Sequence, residues 1–131
     1  IGKTEVQNKN NNENPRDYSD RNVLLLEIDE EHSEITAQII RNMLPGAKIK
    51  AVHTPEDALK AMHKGEWDTY VLDFREEAVS NSEFVKRANN QKDAVLVALP
   101  FGTFTEGDED NAAKLDILRK LFEVEKEEKK K

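Results

Sequence analysis

The chain has 131 residues, enough for one domain with a real core and too few for two of ordinary size. Its 27 acidic against 20 basic residues give a net charge of −7, and no basic stripe precedes the tail, so the duplex phosphate backbone is repelled and no nucleic-acid binding is expected. The absence of cysteine excludes thiol catalysis, disulfides and thiolate metal sites, and the apolar runs fall far short of the roughly 20 residues a membrane-spanning helix needs.

Residues 1–22 hold almost no apolar side chains and are dense in Asn, Lys, Glu and Asp, the composition of a disordered leader or linker. The chain starts with Ile1 rather than Met, as expected of a fragment of a longer protein or of a processed mature chain. A domain over residues 23–124 and a charged tail over 125–131 complete the organisation, in a cytoplasmic setting. The mixed charges of the tail suit a solvated helix end.

Val23-Leu24-Leu25-Leu26 reads as a first strand running out to the acids Glu27 and Asp29. Ile35, Ile39, Ile40, Met43 and Leu44 then recur at helical spacing until Pro45-Gly46 stops them. Ala47, Ile49 and Ala51 alternate with Lys48 and Lys50, a short strand expected near a sheet edge. Thr54-Pro55-Glu56-Asp57 supplies an N-cap hydroxyl, a proline at the first helical position and early acids for a second helix, which Gly65 ends.

Residues 70–74 predict a third strand, 75–81 a loop, 82–88 a short helix and 94–99 a fourth strand, with Trp67 and Phe74 expected in the core beside the third strand. This alternation implies βαβ crossovers and a parallel sheet between two helix layers, a three-layer α/β/α fold. The last third admits two readings. Ala112, Leu115, Leu118 and Phe122 fit one amphipathic helix, whereas a split reading places a helix over about 108–114 and a fifth strand at 116–120.

In such a sheet the carboxyl edge gathers ligands and chemistry, so Glu27, Asp29 and Asp73 are expected to share one crevice. His32, His53 and His63 show no metal-ligand spacing and are expected on the surface, and no glycine pattern supports a nucleophile elbow or a phosphate-binding loop.

The order strand, acidic turn, helix, Pro-Gly, strand, Thr54-Pro55-Glu56-Asp57-Ala58-Leu59 helix and Trp67-Asp68-Thr69-Tyr70-Val71-Leu72-Asp73 resembles the receiver domains of two-component response regulators, over roughly residues 22–122. The resemblance implies a flavodoxin-like parallel sheet of strand order 2-1-3-4-5, with Asp73 at the phosphoacceptor position. It puts Glu27 and Ile28 where the family has two Mg²⁺-binding acids, so one ligand is replaced by an isoleucine and Asp29 would serve only if the turn bends it back. Ala98 falls at the switch hydroxyl, Ile117 at the switch aromatic and Lys120 at the phosphoryl-stabilising lysine. Arg75 sits where the family offers a backbone carbonyl to Mg²⁺, and its guanidinium is a built-in cation able to stand in for the metal.

The resemblance with these losses implies an atypical receiver in a phosphorelay, needing no cofactor or binding Mg²⁺ weakly. It would act by binding another signalling protein, such as a histidine kinase, phosphotransfer protein or output domain, through Phe101 and Phe104 of a loop expected to be exposed. The alternatives are a working phosphoacceptor using Asp73, Glu27, Asp29 and Lys120, and an unrelated flavodoxin-like domain serving as a linker or oligomerisation module.

Overall fold

A computed structural model describes residues 17–99, Phe104 and 111–130, with side chains of the last helix as far as Phe122. The first strand, β1 (Asn22–Leu26), lies between β2 (Lys48–Val52) and β3 (Thr69–Asp73), and β3 pairs outward with β4 (Val95–Leu99). All three pairings are parallel, giving the order β2-β1-β3-β4. Both central strands are apolar on both faces, as a strand covered by helices on each side must be. β2 is exposed at Lys48 and Lys50, charges that suit an unpaired edge.

Among the described residues five helices cover the sheet: α1 (Glu30–Met43), α2 (Pro55–Lys64), the single turn α3 (Glu77–Ser80), α4 (Glu83–Asn89) and α5 (Asn111–Lys130). Strand alternation sorts the core into two layers. Val23, Leu25, Val71, Val97 and Leu99 meet Ala37 and Ile40 of α1 and Leu118 and Phe122 of α5. Leu24, Leu26, Tyr70 and Leu72 meet α2, Val79 of α3 and Phe84 of α4, where Tyr70 and Phe84 stack edge to face at 5.6 Å. The Pro45-Gly46 stop is a turn with Gly46 at φ +92°, where a β-carbon would lie 2.7 Å from Asp17 Oδ1.

The architecture is thus α/β with a four-stranded parallel sheet among the described residues, compatible with a flavodoxin-like arrangement. Two expectations change. The loop over 75–81 contains α3, and residues 116–120 belong to α5 rather than to a fifth strand. As a strand, Asp116, Leu118 and Lys120 would share one face and Ile117 and Arg119 the other, so neither face could be buried cleanly. As a helix, Leu118 and Phe122 stand one turn apart on one side and are both buried. Among the described residues no helix is long and apolar enough to cross a membrane.

Candidate functional site

The two most buried carboxylates of the described residues lie at the carboxyl ends of neighbouring strands. Glu27 follows β1 and is 3% exposed, and Asp73 ends β3 at 2%. Leu26 is the register partner of Leu72, so residues 27 and 73 leave the sheet at the same level and, by alternation, on the same face. Glu27 is fixed by its own backbone: its N–H donates to the Val52 carbonyl at 3.1 Å, and its carbonyl meets His53 Nδ1 at 2.9 Å. Its carboxylate accepts the Asp29 N–H at 2.9 Å.

Arg75 occupies Asp73 from both sides of the carboxylate. Its backbone N–H and Nε donate to Oδ1 at 3.0 and 3.1 Å, and Nη2 donates to Oδ2 at 2.9 Å. A two-point fork of this kind matches guanidinium to carboxylate geometry and holds both oxygens at once. Burial pushes the Asp73 carboxyl up. The Arg75 side-chain hydrogen bonds, its backbone N–H and its charge outweigh that, and the carboxyl sits below its ordinary 3.8. Hydrogen bonding to Asp73 raises Arg75 in turn, and the charge of Glu27 also favours its cationic form.

The other expected members of the cluster do not join it. Asp29 caps α1, its Oδ1 accepting the His32 N–H at 3.0 Å, which holds its carboxyl below the ordinary range. The turn therefore commits Asp29 to the helix, where an N-terminal acid also complements the dipole. Lys120 is a solvent-facing residue of α5, its side chain 72% exposed and paired with Asp116 one turn earlier at 3.3 Å. It stands on no strand end, because the segment that would have carried it there is helical. Ile117, assigned to the switch aromatic, is exposed on the same helix.

Ala98 pairs in register with Leu72, which places it on the face opposite the carboxylates; the residue across from Asp73 is Leu99. Neither side chain offers a hydrogen bond. Phe104, expected in an exposed loop, is completely buried against the α1 and α5 layer, with its N–H donating to Thr36 Oγ1 at 2.9 Å. Phe101 lies outside the described residues. Phe74 reverses the other way: expected in the core, it is 40% exposed just beyond Asp73.

Mg²⁺ needs several oxygen ligands in near-octahedral array. Here Asp29 serves a helix, both oxygens of Asp73 serve a guanidinium, and no group of three potential metal-binding side chains occurs among the described residues. A positive charge is already built into the position by the chain itself.

The opposite edge of the sheet carries a second polar cluster that the sequence did not flag. Arg21 Nε lies 3.4 Å from Asp68 Oδ1, whose other oxygen accepts the Asn22 N–H at 2.8 Å. A cleft of about 550 Å³ between α1 and α5 opens at this end beside Tyr18 and Arg21 and does not adjoin the carboxylates. Comparison with protein-family models, curated proteins and solved structures yields no match.

Proposed function

We propose that this chain is a degenerate receiver-like signalling domain that acts by binding a partner protein, with its phosphoacceptor position neutralised by an internal cation. The observation that carries the reading is the engagement of both Asp73 oxygens by Arg75 at the carboxyl edge of a central parallel strand. A carboxylate nucleophile must present a lone pair to the incoming phosphoryl group. Each oxygen of Asp73 already accepts from a guanidinium two residues away, whose bulk and charge stand against the carboxylate, and the charged lysine that would steady a phosphoryl oxygen is turned to solvent on α5. What the residues retain is the scaffold and a compact edge where two buried carboxylates meet one guanidinium.

The competing reading, a working phosphoacceptor charged by a phosphohistidine protein, draws support from the lowered Asp73 carboxyl, which is ionised at neutral pH. It requires Arg75 to swing aside. Incubation with acetyl phosphate and millimolar Mg²⁺, read by intact mass, separates the two, with beryllofluoride titration followed by backbone chemical shifts as the second readout. The degenerate domain gains no phosphoryl mass and shows no shifts centred on Asp73. A phosphoryl adduct abolished by Asp73→Asn refutes it.

A further inference from the structure

We propose that the outer edge of β4, with the adjoining flank of α5, pairs with its own copy: two chains join β4 to β4 antiparallel about a two-fold axis, making one continuous sheet. This goes beyond the degenerate-receiver reading and does not depend on the state of Asp73.

The ladder between β3 and β4 decides which backbone groups of β4 are open. The Val95 N–H donates to the Asp68 carbonyl at 2.9 Å and the Leu99 carbonyl accepts the Phe74 N–H at 3.2 Å, so residues 95, 97 and 99 serve β3. By alternation the N–H and C=O groups of Ala94, Leu96 and Ala98 point outward, where they meet no partner among the described residues. The strand is correspondingly open: Val95, Leu96 and Ala98 are half-buried, whereas β3 is buried along its whole length. A row of open backbone donors and acceptors is a template for another strand.

The two edges of the sheet differ in what they do to a second copy. At β2 the exposed Lys48 and Lys50 would meet the same lysines, and like charges placed opposite each other destabilise a strand pair. Residues 94–99 of the β4 edge are all apolar and carry no charge, so this edge opposes nothing when it meets itself.

α5 provides the second, independent observation. On one face of the sheet α1 packs on β1 and β2 while α5 packs on β4, and Leu115 and Arg119 of α5 line the cleft facing α1. Ile117 and Leu121 lie roughly 160° around the helix from Arg119, on the flank beyond the β4 edge. Ile117 is 43% exposed and Leu121 is half-buried, two apolar side chains one turn apart that continue the apolar surface of the strand. A two-fold axis perpendicular to the sheet keeps both α5 helices on the same face and sets this flank against its copy, which is the self-complementarity an isologous contact requires. Centring the axis on Leu96 pairs Leu96 with Leu96, Ala94 with Ala98 and Val95 with Val97, and joins all three outward residues of each chain in hydrogen-bonded pairs.

Sedimentation equilibrium of the full chain at rising concentration tests the pairing, with circular dichroism verifying the fold of each variant. The 15.0 kDa chain is expected to pass reversibly to twice that mass. About 0.5 M salt should leave the dimer at least as tight, because screening relieves the net charge of −7 on each copy. Ile117→Asp alters a solvent-facing side chain, and Ala98→Pro deletes one outward N–H at an edge position that tolerates proline; each is expected to weaken the dimer about tenfold or more. Lys48→Ala, on the opposite edge, should leave it unchanged. In a chain without cysteine, Leu96→Cys is expected to give a disulfide-linked dimer on mild oxidation, and Lys50→Cys is not. A chain that stays monomeric up to about 1 mM, assembly that continues past the dimer, or a dimer dissolved by salt would each overturn the proposal. So would a dimer as tight in Ile117→Asp or Ala98→Pro as in the parent, or a Leu96→Cys chain that cross-links no better than Lys50→Cys.

Discussion

Replacing Arg75 by alanine removes the two side-chain hydrogen bonds to Asp73 and leaves a carboxylate that is 2% exposed beside Glu27. Hydrogen bonds to a charged group contribute about 1.5–3 kcal/mol, and stripping one partner from a fully buried ion pair costs about 3–5 kcal/mol. Two features reduce the larger figure. The Arg75 side chain is 51% exposed, so water reaches the place it vacates, and the backbone N–H of residue 75 continues to donate to Oδ1. The expected loss is about 1.5–2.5 kcal/mol at pH 7. Urea unfolding followed by the fluorescence of Trp67 measures it, with an unchanged slope showing that the two-state comparison holds. Arg75→Lys keeps the charge without the fork and is expected to recover less than half of the loss.

The pH dependence provides an independent check of sign. A lowered carboxyl in the folded chain means that Asp73 contributes stability fully above the unfolded value of 3.8 and loses it as pH falls below that through the folded value. In Arg75→Ala the lowering influences of the guanidinium are gone and burial, which favours the protonated form, remains. The stability gap between parent and variant is therefore expected to narrow as pH falls through the variant's Asp73 value toward the parent's lowered one. A loss under about 0.5 kcal/mol at pH 7, or an equal loss in an Asp73→Asn background, would refute the pairing, because a double-mutant cycle on groups in contact must show coupling.

Leu118→Ala on the buried face of α5 is expected to cost about 2–4 kcal/mol in the same unfolding assay, whereas Lys120→Ala, which removes an exposed i,i+4 partner, should stay within about 0.5 kcal/mol. Comparable losses at both positions would contradict the helix. Asp29→Asn retains the capping oxygen of α1 and is expected to melt close to the parent, while Asp29→Ala melts lower; if Asn and Ala melt alike, the side chain of residue 29 does not cap.

Much of the scaffold can be read directly from the residues. The unbroken apolar runs ending in Glu27 and Asp73 could bury both faces only in the middle of a parallel sheet, and Thr54-Pro55-Glu56-Asp57 announces α2 with the cap that forms, Thr54 Oγ1 accepting the Asp57 N–H at 3.0 Å. The last helix was legible from its own periodicity; the strand suggested by family likeness at 116–120 ignored that neither of its faces would be apolar. Long-range partnership was the illegible part. Phe104 sits among Pro, Gly and Thr that read as loop, yet its burial depends on Thr36, 68 residues earlier. Ala98 and Leu99 differ by one position, and one position in a strand is the difference between two faces. At the site, Asp29 carries the residue type wanted both by a metal and by a helix N-terminus, and composition cannot choose between them.

The tether between Arg75 and Asp73 has a consequence for how the edge behaves in a cell. A divalent ion held by carboxylates comes and goes with its concentration and can be taken away by a chelator, so a metal-dependent edge reads the supply of that ion. A counter-charge two residues along the same chain has no supply to read. It cannot be diluted or scavenged, because it is part of the chain that carries the carboxylate.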